Sequence, residues 1–420
     1  MEFGLIGMPL AHSFSAEIHQ ALGGYAYELH PLQDTELGPF LEQRTFRAVN
    51  VTIPYKTAVL PYLDVIDPAA RAIGAVNTIV NRNGTLYGYN TDYTGLAHLL
   101  QRLDAVPRGA KCLIFGTGGT SRTAQAVLRD AGAKTILRVS RRASGDAIDY
   151  AALHAHTDAS VLLNTTPVGM FPSADASPVQ LNRTTFPALH AAVDVVYNPL
   201  RTRFVQSAAA MGARASGGLY MLVWQAAAAS ELFTGQKTDP TLVDRIYAQQ
   251  LAARQNIVLI GMPGCGKTTL GKQLAANLGR TFFDTDALLA QKYGITAAEM
   301  IRTRGETALR DAESTLLRDT LRQGHHAVIA TGGGMVLRPE NVALLRENGK
   351  LFFLDRPLQA LLPTADRPLS ANQADLSALY AQRLPIYRRS ADRVVSLCGT
   401  AQENAALLRE AVLEEGDLIL

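Results

Sequence analysis

The sequence lacks an excess of charge of either sign. Over 420 residues Lys and Arg number 40 against 37 Asp and Glu, with 20 against 19 over residues 1–250 and 20 against 18 beyond. Neither part is basic enough to hold nucleic acid through phosphate contacts, so no nucleic acid is expected among its partners. Cysteine is scarce: Cys112, Cys265 and Cys398 stand far apart with no C-x-x-C spacing, which removes the signature of a zinc site or redox pair and fits a reducing compartment. No run of about 18 apolar residues occurs, so no membrane-spanning helix is expected. Residues 3–8 are too short and too poor in flanking basic residues for a secretory signal, and the expectation is a soluble, cytoplasmic protein. Flexible Gly/Ser or Pro-rich tethers, internal repeats and low-complexity tracts are missing too, apart from an alanine-rich stretch at 225–230. Nothing in the sequence sets an oligomeric state.

What is present is a globular composition, 47% apolar and 18% charged, in a length that suits two or three domains of roughly 100 to 200 residues. Apolar runs end in Gly-rich turns at Cys112-Leu-Ile-Phe-Gly116 and Asn256-Ile-Val-Leu-Ile-Gly261. Apolar residues at helical spacing follow each: Ala124, Val127, Leu128 and Ala131 after the first, Leu270, Leu274 and Leu278 after the second. Strand, turn and helix in that order predict an α/β class with parallel sheets. Residues 46–53 read as another strand, stopped by Pro54, and residues 1–100 as an α/β unit of their own. Residues 239–254 read as a helix with Pro240 in its first turn, running straight into the strand at Asn256.

Gly261-Met-Pro-Gly264-Cys-Gly266-Lys267-Thr268 satisfies G-x-x-x-x-G-K-[ST] between a predicted strand and a predicted helix. Converging backbone N–H groups and the helix N-terminus suit a nucleoside triphosphate, with Lys267 reaching its β and γ phosphates and the Thr268 hydroxyl suiting Mg²⁺. Asp284-Thr-Asp286 follows Phe282-Phe283, and strand alternation would put both carboxylates on one side of a strand end, one for the metal and one for a polyol hydroxyl. Arg310 and Glu313 share a helical face, Gly332-Gly-Gly334 permits close backbone approach, and Arg383 precedes Leu-Pro-Ile-Tyr387; together they suggest a small acceptor bearing a carboxylate. With Gly305-Glu306 and Arg367-Pro-Leu369, these motifs resemble shikimate kinase over 255–420. The resemblance implies that Lys267, Thr268 and Thr269 serve phosphate, that Thr268 and Asp284 serve Mg²⁺, and that Arg367 belongs to a lid over ATP. It also implies that Asp286, Arg310, Gly333 and Arg383 hold shikimate, with Asp286 near the attacking hydroxyl. The segment Leu361-Leu-Pro363-Thr-Ala-Asp has no Arg where many members of that family carry one.

Gly116-Thr-Gly118-Gly119-Thr-Ser121 lacks the third Gly of G-x-G-x-x-G, yet its place between strand and helix supports a Rossmann turn. The next predicted strand ends at Ser140-Arg141-Arg142 without the acid that would bind a ribose hydroxyl, which favours the 2'-phosphate of NADP. Ser13-Phe-Ser15, Asn50-Val-Thr52-Ile-Pro-Tyr-Lys56, Asn77-Thr78 and Asn90-Thr-Asp92 offer the groups needed to bind a polyhydroxylated acid and move a proton. With Asn164-Thr-Thr166-Pro-Val-Gly, Asp194-Val-Val-Tyr197-Asn-Pro and Gly217-Gly218-Leu-Tyr-Met221-Leu-Val-Trp-Gln225, these patterns resemble shikimate dehydrogenase over about 1–250. The resemblance implies substrate contacts from Ser13, Ser15, Asn50, Thr52, Asn77, Tyr197 and Gln225 and a Lys56/Asp92 catalytic pair. It places NADP on Gly116, Gly118, Gly119, Ser140, Arg141, Arg142, Thr166, Gly218 and Met221.

Together the resemblances imply a substrate-binding domain over 1–100 completed by helices returning from 220–250, a Rossmann domain over 101–219 and a P-loop kinase domain over 251–420. The implied activities are consecutive: NADPH reduces 3-dehydroshikimate to shikimate, and ATP then phosphorylates shikimate. Two alternatives stand beside this reading, an NAD-dependent quinate or shikimate dehydrogenase fused to the kinase, and one half kept as a binding module without turnover.

Overall fold

The computed structural model describes residues 1–10, 13–105, 107–143, 145–322, 324–361 and 372–414. The chain folds into two compact units, one over Met1–Gln250 and a second beginning at Leu251.

The first unit holds two six-stranded sheets. Strands β1 (Phe3–Gly7), β2 (Glu28–Pro31), β3 (Ala48–Val51), β4 (Val65–Ile66), β5 (Thr78–Arg82) and β6 (Thr85–Tyr89) lie in the order β2-β1-β3-β5-β6-β4. The pairs of β1 are parallel, whereas β5 and β6 form an antiparallel hairpin. Its two-residue turn is Asn83-Gly84, both at positive φ (52° and 87°), the backbone that a type I′ turn demands. The second sheet contains β7 (Lys111–Phe115), β8 (Thr135–Ser140), β9 (Ala147–Asp149), β10 (Val161–Asn164), β11 (Ala191–Asp194) and β12 (Arg214–Ser216). All its pairs are parallel, in the order β12-β11-β10-β7-β8-β9. Read from β7, this is the doubly wound arrangement, whose strand order reverses between β7 and β10. Continuous apolar runs such as Cys112-Leu-Ile-Phe115, all at 0% exposure, are what a sheet covered by helices on both faces requires.

The helix Leu219–Thr234 packs against the helix Asp92–Arg102 and brings Gln225 to the first sheet. Gly95 is the reason they approach so closely: a Cβ there would stand 2.4 Å from the Met221 carbonyl oxygen and 3.1 Å from Gln225 Cβ.

The second unit is a five-stranded parallel sheet of β13 (Asn256–Ile260), β14 (Thr281–Asp284), β15 (Ala327–Ala330), β16 (Gly349–Asp355) and β17 (Arg393–Ser396), in the order β14-β15-β13-β16-β17. Its core is built on Val258, Leu259, Val328, Leu351, Phe352 and Phe353, all fully or nearly fully buried.

Gly95→Ala gains about 1 kcal/mol in helix propensity and is nonetheless expected to destabilise the first unit by about 1–3 kcal/mol through overpacking. Urea unfolding followed by the fluorescence of Trp224, the one tryptophan and a residue of this helix pair, measures it. A variant as stable as the wild type would show that the helices are not in contact at Gly95.

Candidate functional site

In the first unit the turn after β3 carries Lys56, whose Nζ donates to Asp92 Oδ2 at 2.5 Å and to Thr120 Oγ1 at 3.2 Å. Asp92 opens the helix Asp92–Arg102, and Thr120 lies in the first turn of the helix Gly119–Asp130 that follows β7. The substrate-side pair therefore sits against the start of the nucleotide-side helix. Asn77, 2% exposed, donates through Nδ2 to Thr91 Oγ1 and Asp92 Oδ1, both at 3.0 Å, and to Gln225 Oε1 at 3.4 Å. Asn50 stands behind this cluster: it donates to the Asn77 carbonyl and Thr78 Oγ1 and accepts from the Tyr27 hydroxyl at 2.7 Å. The Tyr27 ring stacks on His19 at 4.0 Å, and burial pushes the His19 imidazole down to about 3, keeping it neutral. Ser15 is the first residue of the helix Ser15–Gly23 and donates its N–H to Ser13 Oγ at 3.2 Å. Tyr197, from the loop after β11, meets Phe14 between those serines with ring centroids 5.0 Å apart. Thr52 follows β3, its methyl lying where a side chain on Gly7 would be.

The nucleotide turn opens at Gly116, φ 115°. Gly118 has open space where its Cβ would be, so its bareness serves no packing within the protein and leaves room for a dinucleotide backbone to approach. Ser121, in place of a third glycine, is 1% exposed and donates its hydroxyl to the Gly116 carbonyl at 2.7 Å, tying the helix back to the turn. Arg141 and Arg142 leave the end of β8 exposed, and among the described residues neither makes an ion pair. Ser140 donates its hydroxyl to the Arg142 carbonyl. Thr166 sits across the turn, its methyl 3.1 Å from a Cβ built on Gly116. Gly218 caps the helix Leu219–Thr234 hard against the Val195 carbonyl, and Met221 is buried in the contact with Gly95.

In the second unit a cavity of about 330 Å³ is lined by the P-loop, by Asp284 and Asp286, by Gly332–334, and by Arg310 and Arg383. Gly261, Gly264 and Gly266 all adopt positive φ (147°, 79° and 106°), which turns the loop back on itself ahead of the helix Lys267–Leu278. Lys267 Nζ donates to the carbonyls of Gly261 and Met262 at 2.8 and 2.9 Å. Thr268 and Thr269 are exposed at the cavity, and Thr268 Oγ1 donates to Asp284 Oδ2 at 2.6 Å. Alternation along a strand does not place the two aspartates. Asp284 ends β14 and caps the helix Thr285–Tyr293, accepting the Asp286 N–H at 3.0 Å, so Asp286 lies in the helix's first turn. A side-chain cap ends the strand at Asp284, two residues before the second carboxylate.

Arg310, on the helix Ala297–Leu316, is held by Glu313 at 2.6 Å and Glu306 at 2.9 Å. Burial works against its charge, but the two carboxylates outweigh that and hold its pKa above the usual value, while burial raises that of Glu313. Arg383, 3% exposed, has Glu306 at 3.8 Å, lies within electrostatic reach of Glu313 and the Tyr387 hydroxyl, and keeps a buried Nε with no hydrogen-bond partner among the described residues. Arg367 and the Pro363 segment lie outside the described residues.

Asp194 organises the first unit's site although its residue type and spacing assign it no role. Asp194, fully buried at the end of β11, accepts from Asn164 Nδ2 at 2.9 Å, Thr202 Oγ1 at 2.6 Å and the Val196 N–H at 3.0 Å. Asn164 in turn accepts from the Thr166 hydroxyl at 2.6 Å. Asp194 thus ties the loop of Thr166 to the loop of Tyr197, and only its presence inside a quoted motif pointed to it. Burial pushes its carboxyl up from 3.8 to about 7, against the pull of those hydrogen bonds. Between these values the unfolded chain has released a proton that the folded chain keeps, so this group's contribution to stability falls as pH rises from about 4 to 7. The stability of Asp194→Asn relative to wild type is therefore expected to improve by at most about 1.4 kcal/mol per pH unit from about pH 5 to 7, then to level off. Urea unfolding read by Trp224 fluorescence tests this, and a pH-independent difference would show that Asp194 is ionised throughout.

Family models match in three places: the shikimate dehydrogenase substrate binding domain at residues 5–79, the shikimate 5'-dehydrogenase C-terminal domain at 218–243 and shikimate kinase at 263–413. The NADP(+) shikimate dehydrogenase of Clostridium beijerinckii is 37% identical over 266 residues, 59% of this chain and 97% of that protein. Shikimate dehydrogenase 1 of Peptoclostridium difficile is similar in structure, with a TM-score of 0.55, 36% identity and coverage of 59% of this chain and 97% of that one. The Thermus thermophilus shikimate 5-dehydrogenase solved with NADP(H) and shikimate gives a TM-score of 0.53 at 35% identity, covering 59% of this chain and 99% of its own. The chain therefore belongs to the shikimate dehydrogenase family through its first unit and joins to it a shikimate kinase domain.

Proposed function

We propose that the chain is a bifunctional enzyme of chorismate biosynthesis. Its first unit reduces 3-dehydroshikimate to shikimate with NADPH, and its second transfers the γ-phosphoryl group of ATP to the 3-hydroxyl of shikimate. The observation that carries the first activity is Lys56 Nζ held at 2.5 Å by Asp92 beside the start of the nucleotide-side helix. Bound NADPH supplies the hydride. The ketone oxygen that becomes an alkoxide takes its proton from Lys56, while Asp92 orients the ammonium and offsets its charge. Asn77 and Gln225, linked at 3.4 Å, present amides to substrate hydroxyls, with Ser13, Ser15, Thr52 and Tyr197 around them. Unpaired Arg141 and Arg142 suit the 2'-phosphate of NADP, with Ser140 beside them.

In the second unit the hydroxyl of Thr268 and the carboxylate of Asp284 are hard oxygen donors side by side at the phosphate cradle. That fits Mg²⁺, which keeps most of its waters and takes few protein ligands. Bound Mg²⁺ would neutralise charge on the phosphates. Asp286 would take the proton of the attacking hydroxyl as its oxygen bonds to the γ-phosphorus and ADP departs, while Lys267 supports the transferred group. Arg383 would hold the acceptor's carboxylate, with Arg310 and Gly333 beside it. Small molecules are the partners in this reading, with no nucleic acid, no membrane and a cytoplasmic location. No helix among the described residues is long and apolar enough to cross a membrane.

Turnover of 3-dehydroshikimate with NADPH, and of shikimate with ATP and Mg²⁺, tests the whole reading. Lys56→Ala is expected to lower the reductase rate about 100- to 10,000-fold while leaving the kinase rate near wild type. A variant keeping more than about a tenth of the reductase rate would remove Lys56 from its assigned role. Replacing Arg141 and Arg142 with neutral residues is expected to raise the NADPH Michaelis constant, binding weakening by about 1.5–3 kcal/mol per lost phosphate contact, and to leave the NADH value nearly unchanged. Equal losses for both cofactors would refute a 2'-phosphate contact.

A further inference from the structure

Tyr387 is 1% exposed on the helix Gln373–Ser390, one turn beyond Arg383, and neither the phosphate cradle nor the ionic network accounts for it. Its ring stacks on Phe353 of β16, with centroids 5.2 Å apart and planes 18° from parallel. Its hydroxyl donates to the Gly333 carbonyl at 2.5 Å. Burial pushes the phenol up to about 12, so it stays a donor across the working pH range. Gly333 is confined on its other sides as well: a Cβ there would stand 3.0 Å from the Pro263 ring of the P-loop and 3.5 Å from Arg383 Nη1. The Gly332 N–H is taken by Thr285 Oγ1 at 2.7 Å, whereas the N–H groups of Gly333 and Gly334, both lining the cavity, find no acceptor among the described residues. In a planar trans peptide the Gly334 N–H lies on the edge opposite the Gly333 carbonyl, so whatever fixes that carbonyl fixes that donor.

We propose that Tyr387 is a positioning residue for the acceptor: its hydroxyl sets the Gly333–Gly334 peptide so that these free N–H groups meet an acceptor oxygen, while its helix sets Arg383 for the acceptor's carboxylate. The inference rests on the kinase reading. It separates Tyr387 from the phosphate cradle, whose turns are closed by their own glycines and by Lys267.

Tyr387→Phe keeps the ring on Phe353 and removes only the hydroxyl. In the full chain it is expected to raise the Michaelis constant for shikimate about five- to fiftyfold, the scale of one lost buried hydrogen-bond partner. The Michaelis constant for ATP and kcat should stay within about twofold. Phe353→Leu disturbs the same packing but spares the hydroxyl, so it should lower the melting temperature and leave the shikimate constant alone. A Tyr387→Phe enzyme whose shikimate constant is unchanged, or whose ATP constant and kcat worsen in step with it, overturns the inference. So does a Phe353→Leu enzyme that reproduces the shikimate defect, because the effect would then be packing. Should Tyr387→Phe fail to fold, amide hydrogen exchange in the wild type decides. Gly333 and Gly334 should be slowed by shikimate more than the P-loop glycines, and equal slowing overturns the inference. Wild-type turnover in the same assays keeps the two readings apart: no phosphorylation of shikimate sinks the kinase reading, whereas wild-type turnover with an unaltered Tyr387→Phe sinks only this one.

Discussion

A parallel strand can reach its parallel neighbour only by a crossover, so every strand of such a sheet ends at the same edge and turns there into a loop or helix. Both sites of this chain depend on that constraint. In the second sheet β7 delivers Gly116–Gly119, β8 delivers Ser140 and the two arginines, β10 delivers Asn164 and Thr166, and β11 delivers Asp194 and Tyr197. In the third, β13 delivers the P-loop, β14 delivers Asp284, and β15 delivers Gly332–334. Residues far apart in sequence meet because topology leaves them no other place. The mixed first sheet works differently, and there a helix start at Asp92 and a close helix contact at Gly95 do the gathering.

Within that frame the two sites treat charge in opposite ways. Lys56 is matched by Asp92, so its environment costs little, and in the proposed reduction its proton would be aimed before charge develops on the ketone oxygen. Arg383 is left short of a partner, although Arg310 a few ångströms of protein away has two carboxylates. An undercompensated buried cation is destabilising until an anion joins it, which suits the role proposed for Arg383. The first arrangement suits proton transfer and the second suits holding a carboxylate.

Much of this was legible in the sequence because Gly-rich turns announce themselves between an apolar run and a helical repeat. The helices Gly119–Asp130, Lys267–Leu278 and Pro240–Arg254 begin where that pattern and Pro240 indicate. Alternation cannot place Asp286, because it carries no information about a side-chain cap and Asp284 turns the chain into helix first. Asp194 was invisible as a hub because its three donors come from Asn164, Val196 and Thr202, residues that spacing does not connect. The missing third glycine looked like a weakened motif. A serine whose hydroxyl returns to the Gly116 carbonyl closes the same turn by another bond.

Glycine runs in such chains are commonly assigned to phosphate approach, and for the P-loop the positive φ angles agree with that. Three further glycines lie against cations. Lys56 lies against Gly119, with 3.0 Å between its Cβ and a Cβ built there; the Arg310 guanidinium lies over Gly334, where a Cβ would fall on top of it; and Arg383 Nη1 lies 3.5 Å from the corresponding point on Gly333. Long flexible side chains are hard to place by their own rotamers, since each carries several free torsions. Resting the charged head or stem on bare backbone removes that freedom without adding a polar partner that would compete with the ligand. The same residue type therefore does two jobs in one chain, turning the backbone of the P-loop and, at Gly119, Gly333 and Gly334, making room for a cationic side chain.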